Sequence, residues 1–276
     1  MSHLEVLESA LKEEDVDFLA QWLFQKKLTK TQIEIVRMIA FAKHKRIAIS
    51  AMTRYGKTIC VAIALGIFLL LNPGSRNAII APLQVQAEIL RNYMSELILS
   101  CPILMDMVEI EAEGYEALKK EASKKRQTFK NGSEYSIFSA EGDAFRLMGY
   151  GVNGLLILDE AALISREARV KVNRMLGDNP DQNVLVELAN PWSKDNDFFE
   201  DWISPSFVTV HVPWQVALSE GRITREFLDE QRIALPPLAF GVLYDSKFPE
   251  DTETDTLISL KEASEAASRN LPDPLT

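Results

Sequence analysis

The chain has 276 residues, 47% of them hydrophobic and 25% charged, with a formal net charge of -10 and an isoelectric point near 5.0. This is enough apolar chain to bury a full core, as one large domain or one domain with a small appendage. The acidic balance excludes uniform attraction to nucleic acid, so any such contact needs a local patch.

Taken in chain order, residues 4–24 show helical spacing through Leu4, Leu7, Leu11, Phe18, Leu19, Trp22 and Leu23. This acidic amphipathic opening lacks the basic-then-apolar pattern of a signal peptide. A second helical pattern runs from Thr31 to about Ala42, and Arg46–Ser50 reads as a short strand. The polar turn Ala51–Gly56 follows, and then an apolar helix closed by Asn72-Pro73-Gly74. Its apolar run, Ile59 to Leu71, is too short to span a bilayer as a helix. Asn77–Ala81 predicts a buried strand and Leu83–Leu99 a helix. Residues 111–130, with Lys119, Lys120, Lys124, Lys125, Arg126 and Lys130, read as a solvated excursion from the core. Further strands are expected at Glu134–Ser139, Leu155–Leu158, Asn183–Leu188 and Phe207–Val212, with a helix following the second of these through Met175 and another over 222–234. The alternation of strands and helices from 46 to 212 predicts a parallel sheet covered on both faces. Cys60 and Cys101 stand in apolar surroundings without metal spacing and read as buried thiols of a reducing compartment, and His3, His44 and His211 are too scattered for a zinc site.

Two segments carry chemistry at the ends of strands. The first is Ala51-Met52-Thr53-Arg54-Tyr55-Gly56-Lys57-Thr58, between a strand and an apolar helix. In that context backbone N–H groups and the helix N-terminus face phosphates, Lys57 reaches the outer phosphates, and the Thr58 hydroxyl suits Mg2+. Ala51 replaces the usual first glycine, and an ordinary strand-to-helix turn with an exposed lysine is the alternative. The second is Leu155–Leu158 followed by Asp159-Glu160-Ala161, the Walker B pattern. A buried strand there delivers Asp159 toward Mg2+ and Glu160 toward an attacking water; a solvated helix start is the bland reading. Arg54 suits the γ-phosphate, or a neighbouring carbonyl. Asn190, before Pro191 and Trp192, would face the same strand edge as a phosphate or water sensor, unless it marks a plain Asn-Pro turn. The Gln32 amide is able to read both edges of adenine, although a surface helix glutamine is the commoner case.

Together these segments resemble the ATPase domain of phage and viral terminase large subunits, which pairs a glutamine motif, an arginine-bearing phosphate loop, a hydrophobic-Asp-Glu-Ala segment and a short coupling motif. Here they are Gln32, Ser50–Thr58, Leu155–Ala162 and Ala189-Asn190-Pro191. The segments from Gly221-Arg222-Ile223-Thr224 to Pro237-Leu238-Ala239-Phe240, and Tyr244 to Phe248, extend the resemblance over roughly residues 28–250. It implies an α/β P-loop NTPase of the ASCE type, a three-layer sandwich on a mainly parallel sheet. An N-terminal helical segment over 1–30, an ATPase core over 31–215 and a linker or lid over 216–276 are expected.

The resemblance further implies ATP and Mg2+ as cofactors and hydrolysis of ATP powering the packaging of double-stranded viral DNA into a procapsid. Expected catalytic residues are Glu160, Arg54, Asn190 and Arg146, the last acting across a subunit interface; pairing of Arg146 with Asp143 is the structural alternative. Expected partners are double-stranded DNA, further copies in a ring on the portal, the portal protein, the small terminase subunit and a C-terminal nuclease domain, with no membrane, in the host cytoplasm. The basic residues of 119–130, or Arg166, Arg169, Lys171 and Arg174, are the candidates to face DNA, although a solvated face is the commoner role of such groups. No DNA cleavage is expected from these residues. A superfamily 2 helicase-like ATPase and a non-catalytic nucleotide-binding module are the competing readings.

Overall fold

The computed structural model describes residues 3–250 apart from 111–113, 142–146, 148 and 178–182. Its strands are β1 (Arg46–Ala51), β2 (Arg76–Ala81), β3 (Arg126–Thr128), β4 (Glu134–Ser139), β5 (Leu155–Asp159), β6 (Val184–Ala189) and β7 (Val208–Val212). They form one sheet in the order β3-β4-β2-β5-β6-β1-β7, parallel throughout except for β3 against β4.

Alternation along each strand sends side chains to opposite faces. Ile47 and Ile49 of β1, Ile79 of β2, Leu155 and Ile157 of β5, and Val184, Val186 and Leu188 of β6 join one core. The residues between them, including Ala48, Ile80, Leu156, Leu158 and Leu185, join a second, smaller core. The larger core is covered by α1 (His3–Lys12), α2 (Val16–Phe24), α3 (Lys30–Ala40), α4 (Lys57–Leu71) and α5 (Gln84–Ser100). α4 is apolar almost all round, so it is buried between α3 and α5 rather than amphipathic. α6 (Pro102–Met107) and α7 (Tyr115–Ala122) follow α5. The opposite face carries α8 (Arg166–Arg174) and α9 (Asp197–Ile203). After β7 come α10 (Trp214–Ser219), α11 (Arg225–Ala234) and α12 (Pro237–Phe240), which runs on into a π turn at Gly241–Asp245.

The chain departs from its sequence reading in several places. The pattern over 4–24 is two helices, because Asp15 caps α2 and Glu14 adopts a positive φ of 55° at the break. The stretch after β5 is a 3-10 turn, Ala161–Leu163, before α8, which Ser165 caps. The charged segment 111–130 is not a solvated excursion: it supplies α7 and edge strand β3, and Leu118, Ala122, Gln127 and Phe129 are buried. Its lysines crowd an amphipathic helix whose apolar side packs on α5. No described helix is long and apolar enough to cross a membrane. Cys60 and Cys101 are buried free thiols.

Candidate active site at the carboxyl edge of the sheet

β1 runs straight into the loop Met52–Gly56, and α4 starts at Lys57. Gly56 is the N-cap of α4 with φ 95°, a conformation that L side chains rarely adopt. A Cβ there would also lie 2.8 Å from Gln32 Nε2, so the position needs glycine twice over. The loop is fastened to the protein through its own amides. The N–H of Met52 donates to Val212 O (2.9 Å), that of Thr53 to Leu243 O (2.7 Å) and that of Tyr55 to Met52 O (3.3 Å). The first amides of α4, from Lys57 and Thr58, lack intrahelical acceptors and head the helix with its positive dipole end.

β6 lies between β1 and β5 in the sheet, so Asn190, one residue beyond β6, stands between the loop and the carboxyl groups of Asp159 and Glu160. Lys57 Nζ donates to Ala51 O (3.0 Å) and to Asn190 Oδ1 (2.9 Å). Asn190 Nδ2 donates to Ala51 O (3.1 Å), and its backbone N–H reaches Glu160 Oε2 (3.5 Å). Glu160 Oε1 is 4.0 Å from Lys57 Nζ. Glu160 adopts a left-handed backbone with φ 48°, which is costly for a non-glycine residue and turns the chain sharply after β5. Asp159 is buried at the strand end, and burial, reinforced by the neighbouring Glu160 charge and opposed by Lys57, pushes its carboxyl up to about 7. A carboxyl short of positive charge and next in sequence to a second one is chemically suited to a hydrated Mg2+, which takes few protein ligands. Among the described residues no group of three or more His, Cys, Asp or Glu is clustered to hold a metal.

The remaining residues singled out in the sequence occupy distinct places. Gln32 is buried in α3, where Thr29 and Gln32 form a capping box: Gln32 Oε1 accepts from Thr29 N (3.0 Å), and Nε2 donates to Tyr55 O (2.8 Å). Both ends of the amide are thus bonded to protein, so it braces the loop in this structure rather than offering two edges to a base. Tyr55 is fully buried, and its hydroxyl donates to Glu220 Oε2 (2.5 Å) and lies 3.1 Å from Thr29 Oγ1. Arg54 is half-buried with φ 61°, and its charge reaches Tyr244, opposing the burial that pushes that phenol up to about 12. Thr53 and Thr58 are half-buried, and Met52 is buried. Arg146, with Asp143, lies outside the described residues. Arg169, one of the basic residues of α8, is buried against Glu187 and Asp201 and presents nothing to a DNA surface.

Sequence reasoning gave no role to Glu220 or Arg222. Glu220 also accepts from Thr31 N (2.8 Å), so it joins the start of α3, the phosphate loop and the end of α10. Ser50 Oγ donates to Ser246 O (3.1 Å), a further link from the same C-terminal segment to the foot of the loop. The only sequence signal here was the similarity of the segment beginning at Gly221; an isolated glutamate in a turn has no periodicity to announce it.

No protein-family model matches the chain, and no curated protein matches its sequence. Solved structures do. The large terminase ATPase domain of Thermus phage P74-26 superposes with a TM-score of 0.64 at 22% identity, covering 83% of this chain and 97% of that one. The large terminase of bacteriophage HK97 gives 0.67 at 18% identity, covering 86% of this chain and 55% of that one. The large terminase of a thermophilic bacteriophage, in complex with ADP, gives 0.58 at 13% identity, covering 80% of this chain and 52% of that one. A DEAD-box helicase, Mss116 bound to single-stranded RNA and UDP-BeF, scores lower, at 0.50 and 14% identity over 74% of this chain and 44% of that one. The chain therefore has the α/β fold, with a mainly parallel seven-stranded sheet, of phage large terminase ATPase domains.

Proposed function

We propose that this chain binds and hydrolyses ATP, giving ADP and phosphate, and that it is the motor part of a machine that drives double-stranded DNA into a viral procapsid. The observation that carries the reading is the cluster in which Lys57 and Asn190 meet at Ala51 O and Glu160 meets both of them, with Lys57 the first residue of the glycine-capped α4. A lysine, a carboxamide and a carboxylate converging beside a helix N-terminus form a site for a polyanion with a water next to it.

In this reading Lys57 exchanges its bonds to Ala51 O and Asn190 for bonds to the outer phosphates. Asn190, released by that exchange, senses the terminal phosphate, and Glu160 orients and deprotonates the attacking water. Thr58 and Asp159 would hold Mg2+, which when bound neutralises charge on the phosphates. Gln32 acts through the loop it braces, together with Tyr55, Met52 and Thr53. Arg54 stands for the γ-phosphate, and Arg146 for a finger reaching a neighbour's ATP in a ring on the portal, with the small subunit and a nuclease domain as further partners. Likeness to the ADP-bound terminase of the thermophilic phage supports the ligand class, and higher scores for terminases than for the helicase favour a packaging motor over a helicase-like ATPase.

The test is ATP hydrolysis per chain as a function of protein concentration, for wild type, Glu160→Ala, Arg146→Ala and an equal mixture of the two variants. A rate per chain that rises with concentration, two dead variants and an active mixture are expected. A flat rate with Arg146→Ala unaffected would leave a monomeric helicase-like ATPase as the better account.

A further inference from the structure

Three atoms stand nearest the position a Cβ would take on Gly56, and none belongs to the Lys57–Asn190–Glu160 cluster. They are Gln32 Nε2 at 2.8 Å, Ile59 Cγ2 at 3.2 Å and Arg222 Nη2 at 3.8 Å. Arg222 arrives from the turn after α10, where its backbone N–H donates to Ala217 O (2.8 Å). Glu220, two residues earlier, is clamped to Tyr55 and Thr31, so the turn is held against the loop. The Arg222 side chain itself is not clamped. Its Nε is buried with no hydrogen-bond partner, and its guanidinium forms no ion pair among the described residues. Its charge nevertheless reaches into the first turn of α4, where it opposes the burial that pushes the Cys60 thiol up to about 12.

This is an unfavourable place for a purely structural arginine. A helix N-terminus carries partial positive charge, and cations there are destabilising. A buried guanidinium nitrogen without an acceptor costs further free energy. The electrostatic cost is offset when an anion is shared by the outer nitrogens of Arg222 and the head of α4. Beside Gly56, Arg222 stands with Gln32 and not with Glu160, so in the proposed site it suits the phosphates away from the attacking water.

Resting on the nucleotide-binding reading above, we propose that Arg222 is a nucleotide-contacting residue, supplied by the C-terminal segment, that holds the phosphates common to ATP and ADP. The guanidinium forms charge-assisted hydrogen bonds to those oxygens. The segment from 213 to 246 thereby registers whether any nucleotide is present, while Lys57, Asn190 and Glu160 register the terminal phosphate.

The experiment is equilibrium binding of a fluorescent ADP analogue to the full chain, with competition by ATP and by ADP, for wild type, Arg222→Ala and Arg222→Lys, alongside thermal melts without nucleotide. Arg222→Ala is expected to weaken ATP and ADP together by about 10- to 100-fold. Arg222→Lys should recover most of that loss, and the nucleotide-free melting temperature should not fall. Weakening of ATP alone would place Arg222 on the terminal phosphate and overturn the assignment. Unchanged affinities, or a loss matched by a lower nucleotide-free melting temperature and not rescued by lysine, would make it structural. Failure of the wild type to bind either nucleotide would sink the ATPase reading itself, a result distinct from any of these.

Discussion

On one face of the sheet, α2 to α5 pack onto Ile47, Ile49, Ile79, Ile157 and Val186 with an interior of aliphatic and aromatic side chains. On the other face, α8 and α9 enclose an ionic cluster: Arg169 touches both Glu187 of β6 and Asp201 of α9 (2.5 Å to the latter). Glu187 is fully buried, and its Oε2 has no partner. Burying ions carries a desolvation penalty that pairing only partly offsets, so such a cluster is a poor way to fill space. Its members are informative by position. β6 runs into Asn190, α8 follows Asp159 and Glu160, and α9 follows the Asn190 turn. The apolar layer holds the loop Met52–Gly56 by packing; the ionic layer ties together the segments that leave the opposite side of the candidate site.

The sharpest way to separate site from scaffold is Lys57→Ala. Phosphate release at saturating ATP is expected to fall by at least about 10²- to 10³-fold, with the melting temperature little changed; substantial residual turnover would break the assignment of the cluster to catalysis. Next in size is Arg169→Met, which removes the charge partner of Asp201 and the hydrogen-bond donor to the buried Glu187. It should destabilise the fold by about 3–5 kcal/mol in urea denaturation, whereas replacing Arg169, Glu187 and Asp201 together by apolar residues of similar volume should restore most of that loss. If the triple variant is as unstable as the single one, the ionic cluster is not what distinguishes the two faces.

The apolar layer is probed by Gly66→Val in α4. An added Cβ meets Phe24 Cζ at 3.0 Å and Leu97 Cδ2 at 3.1 Å, so overpacking by about 1–3 kcal/mol is expected. An unchanged urea midpoint would show that α2, α4 and α5 are free to move apart. The smallest effect is on pH dependence. Burial raises the Glu187 carboxyl to about 8 even with the Arg169 guanidinium against it. The folded state then retains a proton that the unfolded chain releases above its ordinary range, so this contribution to stability is full at low pH and is lost as pH rises toward 8. Unfolding free energies measured at pH 5.5 and 8.5 should show that decline, and Glu187→Gln should flatten it.

Much of this molecule was legible in its order of residues. The runs NAIIA, EYSIFS, LLIL and NVLVEL are short, largely apolar and β-branched or aromatic stretches, as in strands of a sheet buried on both faces, and they occupy β2, β4, β5 and β6. The turn at 52–56 was visible because glycine, lysine and threonine stand where a strand meets an all-apolar helix. The short helices α6, α9, α10 and α12 were missed because each has too few turns to establish a period. Segment 111–130 was misjudged because charge dominates its composition, although a few apolar positions suffice to anchor α7.

Sequence alone determined the parallel strands, the longer helices and the chemical types at their ends, since local periodicity and strand-end chemistry are properties of neighbouring residues. It did not determine which ends would meet. The position of β6 between β1 and β5 places Asn190 between Lys57 and Glu160, and that follows from strand pairing across more than a hundred residues. The Gln32 amide turned inward because Thr29 and Tyr55 offered it partners that only the packed chain brings within reach. Arg222 came to the phosphate loop because Glu220 found Tyr55 and Thr31. Such contacts rest on burial and on distant hydrogen-bond partners, and these exist only once the tertiary structure has formed.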